Sequence, residues 1–397
     1  MSRLWDKGAP LDQRVLQFTA GEDHVLDERL VAYDVRASIA HAQMLQSQGL
    51  LSAADGAAIC AGLEALGAAH ARGEWRIELA DEDGQTALEW RLTAGIGAAG
   101  ARIHLGRSRN DQVLAALRLY MREALAQLAD GAEAVAAALD RLSHRQGTIA
   151  LPGYTHMQQA MPSSVAMWSG GFAAEIRDDA EGLRAVRRRA GRNPLGSAAG
   201  YGTPGLPLDR SATTRALGFD CAQEPVTAVQ LSRGKAEAQL LFETTLLMQD
   251  LGRLAADLLI FYTQEFAFVE LPEAFTTGSS IMPQKRNPDV FELLRGRASS
   301  ALACLLEALS LCAKLPSGYQ RDLQLLKAPL FRGIDLCGQS LDVILPALDA
   351  LQFRPERVKM DPAVHAAAEA NALAVREGLP FREAYRRIAA RFTARGK

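Results

Sequence analysis

Lysine is scarce in this chain of 397 residues: seven of its 44 basic residues are Lys and the rest are Arg. Arg is the default cation here, so a Lys inside a polar motif carries more information than an Arg does. Cysteine is scarcer still. Cys60, Cys221, Cys304, Cys312 and Cys337 show no CxxC spacing. An odd, scattered set argues against a disulfide framework and against structural zinc, and it fits a reducing cytoplasm. No apolar run reaches 18 residues, so no membrane span is expected. The opening Met1-Ser2-Arg3-Leu4-Trp5-Asp6 lacks the apolar stretch of a secretory leader. Neither charge dominates: the formal net charge is -2, which gives no reason to expect nucleic acid. Charged residues at 23% and hydrophobic residues at 48% are ordinary for a globular protein and exclude disordered, collagen-like and disulfide-scaffold classes. Metal and nucleotide signatures are absent as well: no HExxH, no Cys/His cluster, no GxxxxGK followed by Ser or Thr, and no GxGxxG after a strand.

Ala and Leu are plentiful, β-branched runs are few, and apolar residues recur at three- and four-residue spacing, the helical period. Val113, Leu114, Leu117, Tyr120, Met121, Leu125, Leu128 and Val135 predict one long helix over 111–145, with Asn110 or Asp111 as cap. Leu240, Leu247, Leu251, Leu254 and Leu258 predict a second over about 231–269. Others are expected over about 163–189, 288–314 and 323–351. Helices near forty residues far exceed the globular mean. They imply a mainly α protein with an elongated long-helix bundle, whose apolar stripes bury against each other or against other subunits. Loops are expected at 147–162, 193–205, 276–280 and 315–319, where Gly and Pro cluster. At 397 residues the chain exceeds a single small core. The expected division is a mixed helical N-terminal domain (1–106), a central long-helix bundle (107–352) and a short C-terminal helical domain (353–397).

Chemically rich residues gather in the loops. Gly106 to Gln112 (GRSRNDQ) has no apolar side chain and opens a long helix, where free N–H groups and the dipole favour anions; a solvated helix cap explains it equally well. Pro152 to Gln158 holds His156, which Thr155 can orient, though a lone loop His is more often structural or exposed. In Gly278 to Pro288 (GSSIMPQKRNP), Asn287 as cap with Pro288 in the first helical position is a sufficient structural account of those two. It does not explain two serines after a glycine, or Lys285 where the chain prefers Arg. A Gly-led loop can set a serine against backbone N–H groups and an ammonium, favouring its ionised form. Glu292 follows in the next helix and can pair with a histidine. In Tyr319 to Lys327, Tyr319, Gln324 and Lys327 can line one side of a cleft; a plain helix entry capped by Asp322 is the simpler account. The chemistry on offer is acid–base work on an anionic, polar substrate, with Lys and helix N-termini stabilising an oxyanion.

These motifs carry a resemblance. GSSIMPQKRNP resembles the signature of the fumarase/aspartase superfamily. GRSRNDQ, PGYTH (Pro152–His156), LPSGYQRDLQ (Leu315–Gln324) and AFTTGSSIMPQKRNP (Ala274–Pro288) resemble the argininosuccinate lyase family, in the right order over most of the chain. The resemblance implies a cofactor-free β-elimination that splits argininosuccinate into arginine and fumarate, in arginine biosynthesis. It places Ser279 on the family's catalytic serine in a mobile loop, His156 on its catalytic histidine and Glu292 on the carboxylate that pairs with it. Lys285 and Asn287 match groups holding the substrate's carboxylates. Arg109, Asn110, Thr155, Tyr319, Gln324 and Lys327 match substrate-binding positions. The expected partner is the small-molecule substrate argininosuccinate, with no nucleic acid and no membrane.

The residue types suit that chemistry. Removing the weakly acidic proton beside a carboxylate yields an aci-carboxylate, which Lys285, Asn287 and backbone N–H groups can stabilise most where the charge develops. Ser279 as base and His156 as acid is the preferred assignment; the residues also allow the reverse. Several departures stand out. Gln85 occupies a position where the family often has a histidine, and Gln cannot carry a proton. Asp23 stands for a serine, Gln230–Lys235 departs from the family's wording, and the tail beyond Phe381–Ala384 is short. The alternatives are another fumarate-releasing lyase, acting on adenylosuccinate or a modified argininosuccinate, and a catalytically silent structural homologue. GRSRNDQ and YQRDLQ weigh against adenylosuccinate; retention of Ser279, Lys285, Asn287, His156 and Glu292 weighs against silence.

Chain geometry adds an expectation about assembly. A helix over 111–145 spans roughly 50 Å, and the stretch 146–156 reaches at most about 40 Å fully extended. Arg109 and His156 then do not meet easily within one subunit. A site composed from several subunits resolves this and matches the homotetramer that the resemblance implies.

Overall fold

The computed structural model describes residues 12–393; Met1 to Asp6, read above for a leader, lie outside them. The chain is mainly α, as expected. Its helices of eight or more residues are α1 (Gln13–Ala20), α2 (Val31–Ser47), α3 (Ala53–Ala71), α4 (Gly84–Ile96), α5 (Arg109–Gln146), α6 (Val165–Ala190), α7 (Lys235–Tyr262), α8 (Asp289–Cys312), α9 (Lys327–Ala350), α10 (Ala366–Glu377) and α11 (Phe381–Thr393). The longer strands are β1 (Ala150–Thr155) and β2 (Gln158–Ser164), an antiparallel pair.

The chain forms two compact units. One takes the chain up to Gln127 with Gly182–Glu243 and Leu302–Ile334; the other takes Leu128–Glu181, Thr244–Ala301 and the chain from Asp335 onward. In the first unit, Val31, Val35 and Leu45 of α2 pack with Ile59 and Leu63 of α3 and with Leu88 and Leu92 of α4. A second cluster joins Ala37 and Ala40 of α2 to Ala115 and Leu119 of α5 and to Leu195, Leu217 and Phe219. Burying each large apolar side chain there contributes about 1.5–3 kcal/mol. In the second unit, heptad-like stripes are buried on α5 (Val135, Leu139, Leu142), α7 (Leu247, Leu251, Leu254, Leu258) and α9 (Leu341, Ile344, Leu348). The Trp168 indole donates to Asp257 at 3.0 Å and packs on Phe261 and Phe353. Within the same unit, α10 and α11 pair through Ala370, Leu373, Ala384 and Ile388.

The periodicity located the long helices to within a few residues, with instructive exceptions. The expected helix over 231–269 is interrupted. Ala228–Leu231 forms a single turn, the chain reverses through Ser232–Gly234, and α7 ends at Tyr262. Gly234 has φ of +82°, and a Cβ there would come within 2.2 Å of Cys312 Sγ. A left-handed residue ends a helix whatever the apolar period around it. Likewise the helix expected over 323–351 opens as a 3-10 turn over Arg321–Leu326, with Gln320 rather than Asp322 in the cap position, and becomes α-helical only at Lys327. The loop expected over 147–162 is largely the β1–β2 hairpin. Pro152 and Pro162 sit opposite each other in its register. Proline is tolerated there because a two-stranded ribbon leaves edge positions that need no donor.

Candidate active site

The polar stretch at the start of α5 divides its labour. Ser108, not Asn110 or Asp111, is the cap. Its carbonyl accepts from the backbone of Asp111 and Gln112, and its hydroxyl accepts from Asn110 N at 3.4 Å. The Asp111 side chain answers from three residues on, accepting from Ser108 N at 3.0 Å, so cap and first turn satisfy each other's free backbone donors. The other Asp111 oxygen accepts from Gly196 N and Ala198 N at 3.1 and 2.8 Å, pinning the 193–205 loop. Burial pushes Asp111 up to about 6, opposed by these backbone donors. Arg107 is buried and donates to Ser38 Oγ at 2.8 Å. The motif is thus mostly architecture, and it presents two residues outward, Arg109 and Asn110.

Those two line an open pocket of roughly 110 Å³, together with Tyr319, Gln324 and Lys327. All five lie in the first unit. Arg109 is held by Asp83 at 3.0 Å and Glu82 at 3.5 Å. Lys327 is buried, with its ammonium 2.6 Å from Asp27 and 2.8 Å from Asp23. Burial pushes Asp23 up to about 7 and raises Asp27, while Lys327 pulls both the other way. Lys327 itself is raised, because attraction to the two carboxylates outweighs its own burial. Gln324 donates through Nε2 to the carbonyls of Thr19 and Ala20 at 3.0 and 3.2 Å, tying the pocket wall to the end of α1.

Thr155 and His156 lie in the second unit and do not line this pocket. His156 and Met157 form the two-residue turn between β1 and β2, with φ of +52° and +60°. Such turns favour Asn-Gly; two side chains with full Cβ atoms adopt this conformation at a cost. The hairpin is anchored where Gln159 donates to Lys359 O at 2.9 Å and accepts from Asp361 N at 2.8 Å.

Ser279, Lys285, Asn287 and Glu292 also belong to the second unit. A backbone bridge between Thr277 and Asn287 (N···O 3.0 and 2.8 Å) closes a loop over 278–286. Within it, Ser279 Oγ accepts from Met282 N at 3.2 Å and Ile281 N at 3.4 Å. The expected setting of a serine against backbone donors is therefore present. Asn287 is not the helix cap. The Pro288 carbonyl accepts the first bonds of α8, and the Asn287 amide donates to Gly278 O at 3.4 Å. Lys285 and Glu292 are exposed, and neither side chain has a hydrogen-bond or ion-pair partner among the described residues.

A family model described as Lyase matches residues 8–302. The argininosuccinate lyase of Sorangium cellulosum is 48% identical over 394 residues, covering 99% of this chain and 91% of that protein. The chain belongs to the argininosuccinate lyase family. A second member, from Stenotrophomonas maltophilia, is 44% identical over 98% of this chain and 90% of its own length. The fold recurs in a crystal structure of EDDS lyase in complex with formate, with a TM-score of 0.80 at 24% identity over 96% of this chain and 76% of that one. The likeness is one of fold: a mainly α bundle of long helices.

Family wording drew attention to most of the pocket but not to its acidic side. Asp23, Asp83 and Gln85 line it too. Gln85 donates to the buried Asp34 at 2.7 Å, and burial holds Asp34 well above the usual carboxylate range. Asp23 and Gln85 registered in the sequence only as departures from the family pattern. A departure within an otherwise retained motif was the signal that marked them.

Proposed function

We propose that the protein is an argininosuccinate lyase that releases fumarate and arginine by β-elimination, in arginine biosynthesis in the cytoplasm. The observation that carries this reading is the convergence of Arg109, Asn110, Tyr319, Gln324 and Lys327 on one pocket, in a chain 48% identical to a protein of that name. The proposed steps follow from the residues. Ser279 as serinate takes the Cβ proton of the succinyl part, and the C–H electron pair moves into the neighbouring carboxylate. Lys285, Asn287 and backbone N–H groups stabilise the resulting aci-carboxylate. The pair then returns to form the fumarate double bond as the C–N bond breaks. His156 protonates the departing guanidine, and Glu292 pairs with His156. Thr155 joins the five pocket residues in holding substrate. The five cysteines are free, in keeping with a reducing compartment. The purified protein is expected to release fumarate from argininosuccinate without added metal or nucleotide; an absorbance assay that finds release from adenylosuccinate alone would overturn the reading.

The working form in this proposal is a homotetramer with active sites shared between subunits. Two observations support it. Arg109 opens α5 and Gln146 closes it, an unbroken helix of 38 residues and so about 57 Å long, and His156 follows only beyond its far end. On α8, Leu302, Leu306 and Leu309 recur at helical spacing and are exposed, an apolar stripe of the kind that subunits bury. Inactive His156→Asn and Ser279→Ala proteins, unfolded and refolded together, are expected to regain partial activity, because hybrids contain some sites with both native residues. A mixture that stays inactive although mass spectrometry detects hybrids would assign both residues to one subunit.

A further inference from the structure

The loop over 193–205 contributes no residue to the pocket, yet a chain of short contacts leads from the start of α5 through this loop to the pocket's wall. Asp111 is fully buried, and its Oδ2 accepts from Gly196 N at 3.1 Å and Ala198 N at 2.8 Å. These two amides flank Ser197. The Ser197 carbonyl accepts in turn from Gly200 N at 2.8 Å and Gly202 N at 3.0 Å, the amides that flank Tyr201. The Tyr201 hydroxyl reaches Gly318: a Cβ added there would lie 3.4 Å from it. Gly318 precedes Tyr319, which lines the pocket. Gly200 rests on a second support. A Cβ at Gly200 would come within 2.9 Å of Gln230 Cγ, and the Gln230 carbonyl accepts from Arg233 N at 3.1 Å. Arg233 lines the pocket as well. The loop does not take this path by local preference. Ala198 has φ of +48°, a conformation that penalises a residue carrying a Cβ. Two backbone donors on a buried carboxylate offset that penalty.

We propose that Asp111 is a positioning residue: by clasping the 193–205 loop it holds Tyr201 against Gly318 and Gly200 against Gln230, and so sets Tyr319 and Arg233 in the pocket wall. The other Asp111 oxygen, Oδ1, fixes Ser108 N at 3.0 Å, and with it the turn that presents Arg109 and Asn110. One buried carboxylate thus keeps two sides of the pocket in register from outside it. This rests on the lyase reading above.

The test follows fumarate release from argininosuccinate. Asp111→Asn keeps the size of the side chain and turns an amide donor toward backbone N–H groups. Its KM should rise about 10-fold, within the range that coupled neighbours show, with kcat changed far less, because substrate binding is disturbed rather than proton transfer. Tyr201→Ala should show the same split. Since both act along one path, the double variant should show the larger single effect and not the product of the two. Adding Ala198→Gly to Asp111→Asn should restore part of the affinity, because glycine takes this φ without the Cβ penalty. Effects that multiply would mean that the two residues act separately, and an absence of rescue would reduce Asp111 to a helix cap; either overturns the proposal. So does a fall in kcat with KM unchanged, or a rise in KM that light scattering traces to a changed assembly. Tyr201 is 68% exposed, so Tyr201→Ala carries the test alone if Asp111→Asn does not fold, and an unchanged KM there overturns it. Failure of the underlying reading is distinct: the unaltered enzyme would then release no fumarate from argininosuccinate. Hydrogen exchange would still read the clasp, as faster exchange of the Gly196 and Ala198 amides in Asp111→Asn, and unchanged rates would overturn it.

Discussion

Replacing Ser279 by Ala is expected to lower kcat by about 10²–10⁴-fold, the usual loss for a proton-transfer group, with little change in substrate binding. The reasoning begins with the loop. The Thr277–Asn287 bridge holds its two ends together, and the backbone N–H groups of Ile281 and Met282 point at Ser279 Oγ. Donors to the oxygen favour the serinate over the hydroxyl. Alanine removes the oxygen and leaves the bridge, so the loop keeps its shape. The binding residues Arg109, Asn110, Tyr319, Gln324 and Lys327 line a pocket that Ser279 of the same chain does not line, so its replacement leaves their side chains in place. The measurement is a steady-state comparison of kcat and KM for fumarate release, with circular dichroism as a check on folding. A near-normal kcat in this variant would transfer the base to Ser280 or His156.

The second large effect is on stability. Lys327→Met should destabilise the fold by about 3–5 kcal/mol, the typical consequence of removing one partner from a buried ionic group. Methionine fills similar volume, so the loss is electrostatic rather than a cavity. What remains is Asp23 and Asp27, close together and without their ammonium. The sign of the pH dependence follows from the direction of the shifts. Both carboxyls titrate above their unfolded values in the folded chain, Asp23 at about 7, with Lys327 opposing the rise. Removing Lys327 raises them further. Carboxyls raised on folding bind protons in the native state that the unfolded chain releases, so their favourable contribution is present at acidic pH and lost as pH rises through the folded values. The variant's deficit should therefore be small near pH 5 and largest near pH 8. Urea unfolding at the two values reads it directly, and adding Asp27→Asn to Lys327→Met should restore part of the loss at pH 8. A deficit that is independent of pH would mean that the lysine's stem, not its charge, carries the stability.

The second prediction uses a residue type that the composition had already marked. In an Arg-dominated chain, Lys285 and Lys327 stand out inside polar stretches. One lies in the serine loop, and the other is the buried centre of the pocket's charge cluster. At Lys327 a compact ammonium, rather than a planar fork, fits between two buried carboxylates.

The helical class was legible from apolar spacing alone. A 3.6-residue period is a local property, and α5 was located within two residues at its start and one at its end. The serine loop was legible in part: it was expected over 276–280, and the Thr277–Asn287 bridge closes a longer one over 278–286. The hairpin was not. Its strands hold prolines, a glycine and polar residues in place of alternating β-branched ones, and its turn places His156 and Met157 at positive φ without Asn or Gly. What binds it is pairing across the ribbon and the anchor at Gln159, which no local window contains. The break before α7 was hidden for a related reason: the period continues through it, and only the approach of Cys312 to Gly234 shows why a helix cannot. Motif wording named most of the pocket's residues but not their division of labour. Ser108, Asp111 and Arg107 proved to be supports, and Arg109 and Asn110 the residues on display. The acidic wall belonged wholly to the tertiary structure. Asp23, Asp27, Asp83 and Lys327 are separated by up to about three hundred positions, and a buried charge cluster comes into being only when the chain path brings its members within a few ångströms, where burial makes each charge matter to the next.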